Sequence, residues 1–165
     1  MDATTDNRIW TVPIPAPHPM KTVNRNEHWS AGARRRRDWR ETAYARFVLA
    51  GLPKGLTRIR VDVELRFTTN RRRDAPNYYG DVIKPCIDAL SPEKRVKVRG
   101  GNGYRVERGW GVIPDDTAQF LDLAAPKIGP VVPKGLHPHG LVVLTITDLS
   151  EPDLLQLASK EASRG

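Results

Sequence analysis

From Arg58 to Phe67 the chain reads RIRVDVELRF, with Ile59, Val61, Val63, Leu65 and Phe67 at every second position. Successive side chains on a strand point to opposite faces, so this run is a β-strand with one apolar face. That face has to be covered, which commits the chain to a sheet with another layer packed on it. Through Thr68, Thr69 and Asn70 the strand leads directly into Arg71, Arg72, Arg73 and Asp74, so Asp74 is expected just past a strand end.

The other segments supply the missing layers. Ile9 to Ile14 (IWTVPI) reads as a strand, and Pro13 makes it an edge strand or marks its end. A helix is expected from an N-cap at Ser30 to Ala50, closed by Gly51 and Pro53, with Trp39, Ala43, Phe47 and Ala50 facing the core. Residues from about Asp81 to Leu90 form a short helix. RVKVR and YRVER around GGNG read as a β-hairpin within 91–110, with Arg95, Lys97 and Arg99 on one face of its first strand. Gln119 to Leu123 reads as a strand, and PKIGPVVPKGLHPHG as a loop in which His137 and His139 are surface residues. Leu141 to Ile146 (LVVLTI) reads as a buried strand. The expected architecture is α+β: one small domain over 1–150, with a mixed sheet of about four strands and two main helices. Residues 1–7 are expected to fray, and the tail 151–165 to carry a short amphipathic helix before a disordered end.

Composition narrows the partner. The chain has 165 residues, 27 Lys and Arg against 19 Asp and Glu, and a net charge of +8. Such an excess of cations points to a polyanion, nucleic acid first. The single cysteine, Cys86, excludes an internal disulfide and a cysteine-based zinc site, and its apolar neighbours Ile83, Ile87 and Leu90 make it a packing thiol. No apolar run is long enough to span a membrane, and MDATTDNRIW lacks the features of a secretory signal, so a cytoplasmic location is expected. No phosphate-binding glycine loop or serine nucleophile elbow is present, and the histidines offer no metal-ligand spacing on a helix.

The chemistry-bearing residues fall in two stretches, RRRDAPNYYGDVIKPCIDAL (71–90) and GVIPDDTAQ (111–119). Magnesium takes oxygen ligands and keeps several waters, so Asp74, Asp115 and Asp116 suffice for a site that a phosphate completes. The alternative for adjacent aspartates is turn formation and capping. Asp81, Lys84 and Asp88 share one face of an ideal helix: Lys84 serves either a scissile phosphate or an ion pair with Asp88. Pro85 fits a first helical turn, which makes Asp81 a natural N-cap. Arg34, Arg35, Arg36 and Arg37 crowd a helix start, where cations oppose the macrodipole, so an anion is expected nearby, a phosphate or otherwise.

Taken together, RRRD-x-x-N, Lys84 followed by Asp88-Ala89-Leu90, and GVIPDD-x-x-Q resemble the RusA family of Holliday-junction resolvases, often phage- or prophage-borne. Asn24, His28 and Trp29 resemble the family's N-x-x-x-H-W element. The resemblance spans most of 9–147. It implies a homodimer that cleaves paired strands of four-way DNA junctions in recombination and repair, in a bacterial or phage-infected cell. It also implies Mg²⁺, with Mn²⁺ as the alternative ion and no small-molecule cofactor. Asp74, Asn77, Lys84, Asp88, Asp115 and Asp116 match the family's site, with Asp74, Asp115 and Asp116 as metal ligands and Asp81 or Asp88 as a further one. Arg34 to Arg37, Arg71, Arg72 and Arg73, and the hairpin's Arg95, Lys97 and Arg99 are the expected DNA contacts.

Two departures stand out. Pro76 occupies the place of the family's second aspartate, and four additional residues separate Asn77 from Lys84. The hairpin at 91–110 resembles an insertion. Pro76 supports a second reading, a junction- or duplex-binding protein without cleavage. An RNA-binding protein is disfavoured by the lack of aromatic stacking motifs for single strands.

Overall fold

The alternating run becomes β2 (Ile59–Arg66) in a five-stranded sheet. The computed structural model describes residues 7–22, 26–151 and 162–164. On one side β2 pairs antiparallel with β7 (Leu141–Asp148), and β7 pairs antiparallel with β1 (Ile9–Pro15) at the sheet edge. On the other side β2 pairs parallel with two short strands, β5 (Leu121–Leu123) and β6 (Lys127–Ile128). Pro13 is harmless because, among the described residues, β1 has a neighbour on one side alone. The sheet is mixed, with antiparallel β1, β7 and β2 beside parallel β5 and β6, and the class is α+β, as expected.

One face of the sheet is covered by α1 (Trp29–Leu49) and by the segment before β3. Ile59, Val61, Val63 and Leu65 meet Val12 and Ile14 of β1, Val142, Leu144 and Ile146 of β7, and Trp39, Ala43 and Phe47 of α1 in one core. Trp39 and Phe47 are fully buried, each gaining about 1.5–3 kcal/mol from leaving water. On the opposite face Val132, Leu141 and Val143 form a small separate cluster.

The segment after β2 winds through three kinds of turn. Ala75–Tyr78 is a 3-10 turn, Tyr79–Ile83 a π-helical turn, and Lys84–Asp88 the α-helical turn α2. Ile83, Ile87 and Leu90 are buried in the core, and the Cys86 thiol is fully buried, donating to the Val82 carbonyl at 3.3 Å. Burial pushes that thiol's pKa up, as expected for a packing residue.

The hairpin is β3 (Pro92–Lys97) and β4 (Tyr104–Trp110), a two-stranded sheet of its own. Its base is anchored by Trp110, whose backbone N–H donates to the Ala89 carbonyl and whose indole N–H donates to the Leu52 carbonyl, both at 2.8 Å. Gly109 is required there, since a side chain would collide with the Ser91 carbonyl.

Several expectations are corrected. The N-cap of α1 is His28, whose Nδ1 accepts the Ser30 N–H at 3.3 Å; Ser30 lies inside the helix. Ala50 is exposed because the chain turns away at Gly51 (φ 63), one residue after it. Asp81 caps no helix, since it sits inside the π turn. Arg99 lies beyond the end of β3, so it does not continue the face of Arg95 and Lys97. The proline- and glycine-rich loop begins with β6, and β5 starts at Leu121, two residues later than expected. Asn24, residues 1–6 and residues 152–161, with the expected tail helix, lie outside the described residues. Among the described residues no helix is long and apolar enough to cross a membrane.

Candidate functional site

Asp88 reaches the site on α2, whose apolar side packs in the core and whose polar side faces outward. Asp116 arrives from the loop after β4. That loop is held by Val112 and Ile113, both fully buried, and by backbone bonds from Leu56 N–H to the Val112 carbonyl (2.7 Å) and from Ile113 N–H to the Leu90 carbonyl (3.3 Å). Two anchored segments therefore deliver one carboxylate each to the same point. Between them stands Lys84, whose ammonium donates to Asp88 Oδ1 and to Asp116 Oδ2.

The charges reinforce one another. Burial disfavours the Lys84 ammonium, but its hydrogen bonds to Asp116 and Asp88 outweigh this and hold its pKa above the ordinary value. The Lys84 hydrogen bond in turn keeps the Asp116 carboxyl below the usual range against the opposing effect of burial. Asp115 Oδ1 accepts the Asp116 N–H at 2.9 Å and so orients the pair. Behind Asp88 lies Arg40 of α1, whose side chain is 12% exposed. Its guanidinium donates to the Arg108 carbonyl (2.6 Å), to Glu107 Oε2 (3.2 Å) and to the Asp88 carbonyl (3.4 Å).

Asp81 has a different fate. The π turn directs it at α1, where its side chain is 7% exposed and pairs with Arg36 at 3.0 Å and Arg35 at 3.5 Å. Arg35 also pairs with Glu27. The anion expected beside the arginines of α1 is therefore in the protein itself, for Arg35 and Arg36. Arg34 and Arg37 are exposed.

Asp74 lies in extended backbone ahead of the 3-10 turn, exposed, with no hydrogen bond or ion pair from its carboxylate among the described residues. The Asn77 N–H donates to the Asp74 carbonyl at 3.1 Å, closing the turn. Arg71 and Arg72 are exposed, while Arg73 donates to Thr69 and lies over the Phe67 ring at 3.9 Å. Arg95, Lys97 and Arg99 are exposed on the hairpin, Arg95 beside the Tyr104 ring.

Lys84, Asp88, Asp115 and Asp116 thus come together, and Asp81 is turned away from them into the arginines. Among the described residues no three Asp, Glu, His or Cys side chains converge as a ready metal cage. The donor set nevertheless suits a hard cation: Asp88 and Asp116 already converge on one positive charge, and one or two carboxylates are what Mg²⁺ takes when phosphate completes its shell. Sequence reasoning missed Arg40 as the strut behind Asp88, and Arg105 and Arg108 beside it. Arg40 carried a signal, standing one turn beyond the arginine run on α1. No family model matches the chain, and no curated protein matches it.

Proposed function

We propose that this chain is a Mg²⁺-dependent, structure-specific endonuclease of RusA type that resolves four-way and other branched DNA. The observation that carries the reading is the Lys84 bridge between Asp88 and Asp116, which joins segments 32 residues apart at one cationic point. A bound Mg²⁺, or Mn²⁺, would polarise the phosphodiester and neutralise its developing charge. Asp88 and Asp116 would hold the ion, with Asp115 beside them and Asp74 as the exposed ligand brought in by substrate and ion together. Lys84, displaced from the carboxylates it now neutralises, would turn its ammonium to a phosphate oxygen. Arg40 holds the α2 end of the site against α1 and β4.

The surplus of cations supports a nucleic-acid partner bound through its backbone with steep salt dependence. Two copies related by a dyad would suit paired incisions in opposed strands. The test is a synthetic four-way junction incubated with the protein in Mg²⁺ or in EDTA. Symmetric nicks that need Mg²⁺ support the enzyme. Tight binding without nicks in either condition overturns it in favour of a junction-binding protein.

A further inference from the structure

Beside Lys84 and Asp88, a cleft of about 220 Å³ opens between α1, the start of α2 and β4. Its walls carry six cations, Arg36, Arg37, Arg40, Lys84, Arg105 and Arg108, against three carboxylates. Clefts that enclose whole small molecules run to about 300–1,000 Å³, so this one suits a portion of a longer polymer. The positive excess selects a polyanion. The cleft is built rather than incidental: Arg40 joins its α1 wall to the backbone of β4, and Arg108 stacks on Tyr44 of α1 at 5.5 Å. Arg37 makes no ion pair among the described residues, and Arg105 and Arg108 are about half exposed, their charges only weakly satisfied by Glu107 and Glu93.

We infer that this cleft is a phosphodiester subsite, in which Arg37, Arg105 and Arg108 grip the DNA backbone next to the phosphate at Lys84. The hairpin then contributes through β4, the strand facing α1, and its outer cations Arg95 and Lys97 line no part of the cleft. The inference rests on the nuclease reading for the identity of the strand, but it is separable from it by experiment.

The experiment measures binding of a fluorescein-labelled four-way junction in EDTA across a salt series, with junction cleavage in Mg²⁺ run in parallel. Each backbone contact contributes roughly 0.9 to the slope of log K against log salt. The double variant Arg105→Gln/Arg108→Gln is expected to lose about 1–2 from that slope, Arg105→Lys/Arg108→Lys to retain it, and Lys127→Gln/Lys134→Gln, exposed cations outside the cleft, to match wild type. Thermal melts verify that each variant folds, and the charge-retaining pair guards against indirect effects. A wild-type slope in Arg105→Gln/Arg108→Gln, with wild-type protein cutting normally, overturns the subsite alone. The expected loss of slope in a protein that never cuts supports the subsite and overturns the nuclease reading alone.

Discussion

Asp81 and Asp88 stand on one continuous helical segment, seven residues apart, and meet opposite surroundings. Asp81 is closed off: two arginines of α1 neutralise it and its side chain is 7% exposed. Asp88 is 29% exposed and faces a lysine that it shares with Asp116. The difference comes from the π turn, which changes the helical advance between them and sends Asp81 toward α1 while Asp88 looks outward. One carboxylate fastens the segment to the fold. The other is left more accessible, held by a part-exposed lysine with the Arg40 guanidinium 4.0 Å behind it.

The comparison breaks most visibly in stability. Asp81→Ala leaves Arg35 with Glu27 alone and takes away the carboxylate that pairs with Arg36, and is expected to cost about 2–3 kcal/mol, at or below the low end for a broken buried pair, since Arg36 can rehydrate. Chemical denaturation reads this, and a cost below about 1 kcal/mol would mean the pair is not what fastens the segment. Lys84→Gln removes a charge-assisted hydrogen bond to each carboxylate and should slow junction cleavage about tenfold, the equivalent of roughly 1.5 kcal/mol, while lowering the melting temperature by only about 2–4 °C. A large drop in melting temperature would make Lys84 a structural tie like Arg36.

The smallest effect is in pH. The Asp116 pKa is depressed from 3.8, so its contribution to stability is present above that value and fades as pH falls through the lower folded-state pKa. The Lys84 pKa is raised from 10.5, so its contribution is full below that value and fades as pH rises through the higher folded-state pKa. The stability difference between wild type and Lys84→Gln should therefore be flat from about pH 5 to 9 and shrink outside both limits. A difference that grows in acid would contradict the contact.

Much of the fold was legible because period is a local property. RIRVDVELRF, the Trp39–Ala43–Phe47 stripe and LVVLTI each carry their burial in their own spacing, and each became the expected strand or helix. The Lys84–Asp88 pair was legible for the same reason. The pairing of Asp81 with Arg36, 45 residues away, was not, because it depends on where α1 lies across the π turn. The His28 cap escaped because histidine is not among the usual capping residues, whereas Ser30 is. The placement of Arg105 and Arg108 along the cleft was hidden for a related reason: which hairpin strand faces α1 is decided by the anchoring of Trp110, a tertiary contact. Among the described residues, Asp74 does not join Asp88 and Asp116 in a three-carboxylate metal cluster.

The most direct measurement places Asp116→Asn beside Asp81→Asn in single-turnover cleavage of a synthetic four-way junction in Mg²⁺. Asp116→Asn should cut about 100-fold more slowly or worse, as for loss of a charge that stabilises the transition state, yet bind the junction like wild type. Asp81→Asn, still able to hydrogen-bond its arginines, should cut within about threefold of wild type wherever it is folded. Cleavage retained by Asp116→Asn, or abolished in a folded Asp81→Asn, would contradict the assignment of Lys84, Asp88 and Asp116 as the site.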